Sequence, residues 1–172
     1  MHITQQESHD VSVLAGQGEL VKLRKAVHSL AERESASPAD VLIACKDDFQ
    51  QTAAHMAAKG GQVRMFSDLF FDMTCRSHRQ GSIETLAELL GDEDKKVEYF
   101  NMANRFTGDR PAHTAMRNGY LDVFKILVRH GADPTVKNRF GDAVTDYPGD
   151  YGPEEVQAVI DEYNERIARG PK

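Results

Sequence analysis

The chain is expected to fold as an all-α solenoid of about four helix–turn–helix repeats with β-turn fingers, and three observations predict it. The stretch 110–141, RPAHTAMRNGYLDVFKILVRHGADPTVKNRFG, reads as one complete unit. Pro111 suits a first helical turn, Asn118-Gly119 turns the chain, and Leu121, Phe124, Leu127 and Val128 recur on one helical face before Gly131. An earlier stretch repeats that opening with Thr52-Ala53-Ala54-His55, Ala57-Ala58 and Gly61. The tripeptide Asn-Arg-Phe stands at 104–106 and again 34 residues later at 138–140. Two short helices and a turn cannot bury their apolar faces alone, so such repetition implies units stacked on one another.

Taken in order, the first repeat (10–46) is worn. Leu14, Ala15 and Gly18 precede Leu20, Leu23, Val27 and Leu30, giving a helical pair between Val11 and Leu30. The second (47–73) carries an apolar run through Val63, Phe66, Leu69 and Phe70 after its opening. From His55 to His113 is 58 residues, one period of about 33 plus an insertion of about 25, placed at 74–100. Within it Ile83, Leu86, Ala87 and Leu90 lie at i, i+3, i+4 and i+7, so Ser82–Leu90 is expected to be an amphipathic helix ended by Gly91. Asp92-Glu93-Asp94 and a short apolar return through Val97 and Phe100 follow. Two roles are open for this insertion: a lengthened helix and loop packed at the edge of the stack, or a clamp on a partner.

The third repeat (101–140) is the complete one. The fourth (141–169) follows from the 33 residues between Gly119 and Gly152, with Asp146 six before Gly152 as His113 is six before Gly119. Pro148-Gly149 interrupts its first helix, because an interior proline costs a helix about 3 kcal/mol. Asp150 to Arg169 then predicts a capping helix with Val156, Val159, Ile160 and Tyr163 facing inward. Worn outer repeats are expected, since a terminal repeat must show water a polar face.

Pro111, His113, Ala115, Gly119, Leu121, Leu127, Gly131, Ala132, Asp133 and Gly141 follow the pattern TPLHxAxxxG, apolar helix, HGADxxxxxxxG. The stretch thereby resembles an ankyrin repeat, and the resemblance extends over roughly 10–73 and 101–163. Arg110 stands where the pattern has threonine and Ala53 where it has proline. The resemblance implies that His55 and His113 hold neighbouring backbone, and that a protein partner binds on a concave face. The positions matching the family's variable contact sites are Asp48, Phe49, Gln51, Lys59, Arg105, Phe106, Asp109, Arg117, Arg139, Phe140, Asp142, Asp150 and Tyr151. A narrower resemblance is carried by CKDDFQQTAAHMAAKGGQVRMF, the insertion, NGYLDVFKILVRHGADPTVKNRFGDAV and GPEEVQAVI. It is to small fungal ankyrin proteins of the Yar type, and implies a dedicated chaperone of a basic small-subunit ribosomal protein in ribosome biogenesis.

Composition narrows the function classes. With 172 residues, 28% of them charged, one compact domain is expected, and a monomer. The polar opening MHITQQESHD predicts no signal peptide, and no apolar run exceeds the five residues Val41 to Cys45, which predicts no membrane span. Two cysteines, Cys45 and Cys75, argue for a reducing compartment, cytoplasm or nucleus. Cys75-Arg76-Ser77-His78 is half a zinc pattern with no second pair at ligand spacing, and Gly16-Gln17-Gly18 lacks the rest of a phosphate loop. No catalytic signature is present, so neither enzyme activity, metal, cofactor nor small-molecule substrate is expected.

The net charge of −6 is unevenly distributed: residues 101–141 carry 7 bases against 3 acids, whereas 142–172 carry 3 against 8. A basic middle between acidic flanks suits a charged protein partner better than nucleic acid, although Arg105, Arg110, Lys137 and Arg139 are the residues a nucleic acid would meet. An inhibitor or adaptor of a kinase or transcription factor, or a host-directed interaction protein, stand as alternatives. At the expected finger tips, Asp47-Asp48-Phe49, Asn104-Arg105-Phe106 and Asn138-Arg139-Phe140 each place a phenylalanine beside a charge. Either these rings anchor a partner, or they pack down between fingers and stabilise the stack.

Overall fold

The computed structural model describes residues 1–60, 71–147 and 151–169, the side chains of 71–80 excepted. The described residues are helical, without a strand, and build two rows. One row comprises α1 (Gln5–Gln17), α4 (Ala53–Lys59), α7 (Pro111–Arg117) and a single 3-10 turn at Val144–Asp146; each packs on the next. The other comprises α2 (Leu20–Glu34), α5 (Phe71–Leu90), α8 (Leu121–Arg129) and α9 (Pro153–Arg169). Two further helices fill the connections: α3 (Pro38–Ala44) lies against α2 and α5, and α6 (Glu93–Phe100) against α5. No described helix is long and apolar enough to cross a membrane.

The first row can stack closely because its contacts are small. Ala15, Ala53, Ala54, Ala57, Ala58, Ala112 and Ala115 are all buried. Leu23, Val27, Leu42, Ile83, Leu86, Met116, Phe124 and Leu127, all with 0% exposure, fill the core. Side chains of this size supply most of the stabilisation, about 1.5–3 kcal/mol for each fully buried aliphatic or phenylalanine.

Local chemistry sets the helix ends. α1 starts at Gln5, six residues before the expected Val11, because Thr4 and Glu7 form a capping box: Thr4 N–H donates to Glu7 Oε2 at 2.8 Å and Glu7 N–H to Thr4 Oγ1 at 3.3 Å. The helix expected at Ser82–Leu90 is the second half of the longer α5, and it ends at Leu90 before Gly91. Ile83, Leu86, Ala87 and Leu90 are buried while α5 packs on α4 and α8, so α5 occupies the second-row place of its repeat. The apolar run Val63, Phe66, Leu69 and Phe70 of the second repeat lies outside the described residues, as do Pro148-Gly149 and the Cys75–His78 side chains.

α3 and α6 were not anticipated as helices, yet both carry cap signals. Ser37 Oγ accepts from Asp40 N–H (3.1 Å) just before Pro38, and Asp92 Oδ1 accepts from Asp94 and Lys95 N–H (2.9 and 3.3 Å). α6 is fastened to the next unit. Asn101 Nδ2 donates to Gly131 O (2.8 Å), and Asn101 Oδ1 accepts from Asp133 N–H (2.8 Å). Gly131, at φ 96°, ends α8 where a Cβ would stand 2.7 Å from Val97 of α6, so glycine serves both the left-handed turn and the contact.

α9 begins at Pro153 and closes the stack as expected, with Val156 and Val159 buried and Ile160 and Tyr163 half-buried against the core. Its Arg166 donates to Val128 O and Arg129 O (2.6 and 3.0 Å), satisfying the last carbonyls of α8.

Candidate partner-binding face

The three fingers are built on the first residue of each tip. Asp47 Oδ1 accepts from Phe49 and Gln51 N–H (2.9 and 2.7 Å), and Asn138 Oδ1 from Phe140 and Asp142 N–H (both 2.9 Å). Asn104 Oδ1 accepts from Thr107 and Gly108 N–H (2.9 and 3.2 Å), in a finger longer by one residue. Asparagine and aspartate mimic a backbone turn in this way, which explains why the repeated tripeptide opens with one. Backbone bonds then tie the fingers side by side: Arg105 N–H donates to Phe49 O (2.8 Å) and Arg139 N–H to Thr107 O (2.9 Å).

One tip is strained. Gln50 sits at φ 59°, the place that Gly141 holds at φ 88° in the third finger, and each donates its N–H back to the tip's first residue (2.9 and 3.1 Å). A side chain in left-handed backbone is unfavourable, so Gln50→Gly is expected to stabilise the protein by about 0.5–1 kcal/mol. A urea melt with an unchanged or lower midpoint would refute this.

The phenylalanines point outward. Phe49, Phe106 and Phe140 are 50%, 62% and 72% exposed, and Phe49 meets Phe106 at 5.4 Å between ring centroids with a 51° tilt. None of the three rings is buried in the stack, although Phe49 and Phe106 touch across neighbouring fingers. Arg105 and Arg139 are exposed on the same tips, and Arg139 Nη1 also braces the Arg105 carbonyl. Asp48 is exposed and accepts a bond from Gln5, Gln51 is half-buried against Asp47, and Lys59 is exposed at the end of α4.

Asp109 is a different case. It is 1% exposed, its carboxylate faces Arg117 in an ion pair and accepts from Asn138 Nδ2 (2.9 Å), and its carbonyl receives His55 Nε2 (3.0 Å). Burial raises its pKa, but the bonds from Asn138, Thr107 and Arg117 outweigh that and leave it below the usual carboxylate value. A carboxylate so engaged joins repeats together and is not a surface contact; expecting it among the contacts is corrected on that ground. Arg117 shares the same centre: its guanidinium lies 5.0 Å from the Tyr147 ring and donates to Tyr147 Oη (2.9 Å), while 44% of its side chain stays exposed. Asp142 is half-buried and accepts from Asn138 (3.1 Å), and Tyr151 donates to Met116 O (3.1 Å). Asp150 lies outside the described residues.

The structure thus brings Phe49, Arg105, Phe106, Arg139 and Phe140 into one row of tips. Tyr147 and Asn138 hold that row's base; Asn138 was read in the sequence only as part of the repeated tripeptide, and Tyr147 was not singled out.

The family model of ankyrin repeats in three copies matches residues 11–138. The chain belongs to the ankyrin-repeat family. Among curated proteins, the ankyrin repeat and LEM domain-containing protein 2 homolog of Caenorhabditis elegans is 26% identical over 117 residues, covering 64% of this chain and 19% of that relative. The chain therefore spans about a fifth of that protein's length. Among solved structures, a chain of the crystal structure of the yeast ribosomal protein Rps3 in complex with its chaperone Yar1 is similar, with a TM-score of 0.64, 22% identity and 99% of each chain covered. At that identity the likeness speaks for the fold.

Proposed function

We propose that this chain is a non-enzymatic chaperone that holds a basic protein of the ribosomal class on its fingers and concave face, in the cytoplasm or nucleus. The row of three exposed phenylalanines carries this reading. Exposed aromatic rings on adjacent fingers are a liability to solubility unless a partner covers them, and aromatic side chains are the commonest interface anchors. The full-length likeness to a chain of a chaperone–ribosomal protein complex supports the choice of partner class. So does the excess of 27 acids over 21 bases, because a field opposite to the partner's speeds encounter. Within this reading Asp48, Phe49, Gln51, Lys59, Arg105, Phe106, Arg117, Arg139, Phe140, Asp142, Asp150 and Tyr151 form the contact surface.

The test is a binding measurement with purified yeast Rps3 as probe. A stoichiometric complex that keeps Rps3 soluble in the presence of RNA is expected. Phe106→Ala is expected to raise the off-rate about 30-fold, as loss of an interface anchor does. Raising salt past about 0.15 M, where screening length is near 8 Å, is expected to slow association instead. Absence of any complex, with no protection of Rps3, would sink the proposal.

A further inference from the structure

The charges on the finger tips do not match a uniformly basic partner. The acids of fingers two and three are engaged by neighbouring side chains: Asp109 is buried against Arg117, and Asp142, half-buried, accepts from Asn138. The bases point out. Arg105, Lys137 and Arg139 are exposed, and the Arg105 and Lys137 side chains have no ion-pair partner among the described residues. Arg139 is braced toward Arg105 by its bond to that residue's carbonyl. The surface around Phe106 and Phe140 is therefore apolar and cationic in a chain whose net charge is −6.

We infer that the tips of fingers two and three are a subsite for a segment of the partner that presents apolar side chains flanked by carboxylates, set apart from the partner's basic bulk. This rests on the proposed function and deepens it. The rings supply a desolvated anchor, and a carboxylate beside them meets a guanidinium where water is partly excluded, which strengthens the pairing. The same cations reject a lysine-flanked segment by like-charge repulsion, so the site selects which part of a basic protein is gripped. Asp48 on the first finger, engaged by Gln5, leaves that end of the row without the same cationic field.

Fluorescence anisotropy with labelled peptides tests this on the full chain. One peptide of about 12 residues, long enough to cross such a row, carries Leu and Phe flanked by Glu; a second has Lys for each Glu, and a third Ser for each apolar residue. The Glu peptide is expected to bind about tenfold more tightly than either of the others. Arg105→Glu is expected to abolish that preference, and Arg105→Lys to keep most of it. Arg105 is chosen because its guanidinium holds no finger together, and thermal melts check that both variants fold. A Lys peptide that binds as well as the Glu peptide overturns the inference, as does an unchanged preference in Arg105→Glu. Rps3 binding is measured in parallel. If Rps3 is held while the Glu peptide shows no preference, only the subsite is wrong; if Rps3 is not held, the chaperone reading fails first.

Discussion

Leu127→Ala is expected to cost about 2–5 kcal/mol, whereas Arg139→Ala is expected to cost about 0.5 kcal/mol. Leu127 is 0% exposed on α8, a helix that packs on both α5 and α7. Truncating it removes the transfer free energy of the side chain and leaves a cavity that two neighbouring helices must collapse to fill. The stack around it is tight: Met116, Phe124 and Leu86 are also fully buried. In a solenoid each unit is stabilised chiefly by its neighbours, so loosening a central interface weakens both sides at once. Against a typical total of about 5–15 kcal/mol, the loss is expected to move the urea midpoint far enough to measure without a change of slope. Arg139 is exposed, and its bond to the Arg105 carbonyl is in competition with water. Two melts that ranked these variants in the opposite order would show the assignment of inner and outer faces to be inverted.

The elements legible in the sequence were those whose signals are local. α7 and α8 follow from Pro111, Gly119, the spacing of Leu121, Phe124, Leu127 and Val128, and Gly131, because each acts within one or two turns of itself. The end of α5 was legible for the same reason, since Ile83, Leu86, Ala87 and Leu90 already define a face. Its role in the second row was not, because which apolar helix fills a place in a stack depends on neighbours far away in sequence. α3 and α6 carry ordinary caps on helices of seven and eight residues, too short for periodicity to stand out. In the candidate site, the repeated tripeptide located the tips, but composition could not say which way each side chain turns. Asp109 goes inward because Arg117, Asn138 and Tyr147 converge on it from later in the chain. Phe106 and Phe140 stay outward because the turn bonds of Asn104 and Asn138 take up the finger's interior.

Acidification from about pH 6.5 to about pH 4 is expected to remove about 3 kcal/mol of stability through His55. The ring is completely buried, and its hydrogen bonds settle its tautomer: the Asp109 carbonyl can only accept, so Nε2 carries the proton, and Thr52 N–H can only donate, so Nδ1 is bare (3.0 and 3.1 Å). A second proton would face Thr52 N–H donor to donor, inside the core. Burial above all pushes the His55 pKa down to about 4, against the raising effect of the Asp109 carbonyl and nearby carboxylates. In the unfolded chain the imidazole titrates near its ordinary value of about 6.5, so between these two values the unfolded state binds more protons than the folded one. Stability must therefore be fully present above about pH 6.5 and decline as pH falls toward 4. His113, also lowered chiefly by burial, acts in the same direction. Asp109 acts elsewhere: with a folded pKa below its ordinary value, its contribution is lost only as pH drops below about 4. His55→Gln is expected to be less stable at pH 7 but to lose most of the slope between pH 6.5 and 4, because the titrating group is gone. Urea melts across that window decide it: a wild-type midpoint that stays level down to pH 4.5, or an unchanged slope in His55→Gln, would mean that this histidine does not couple protonation to folding.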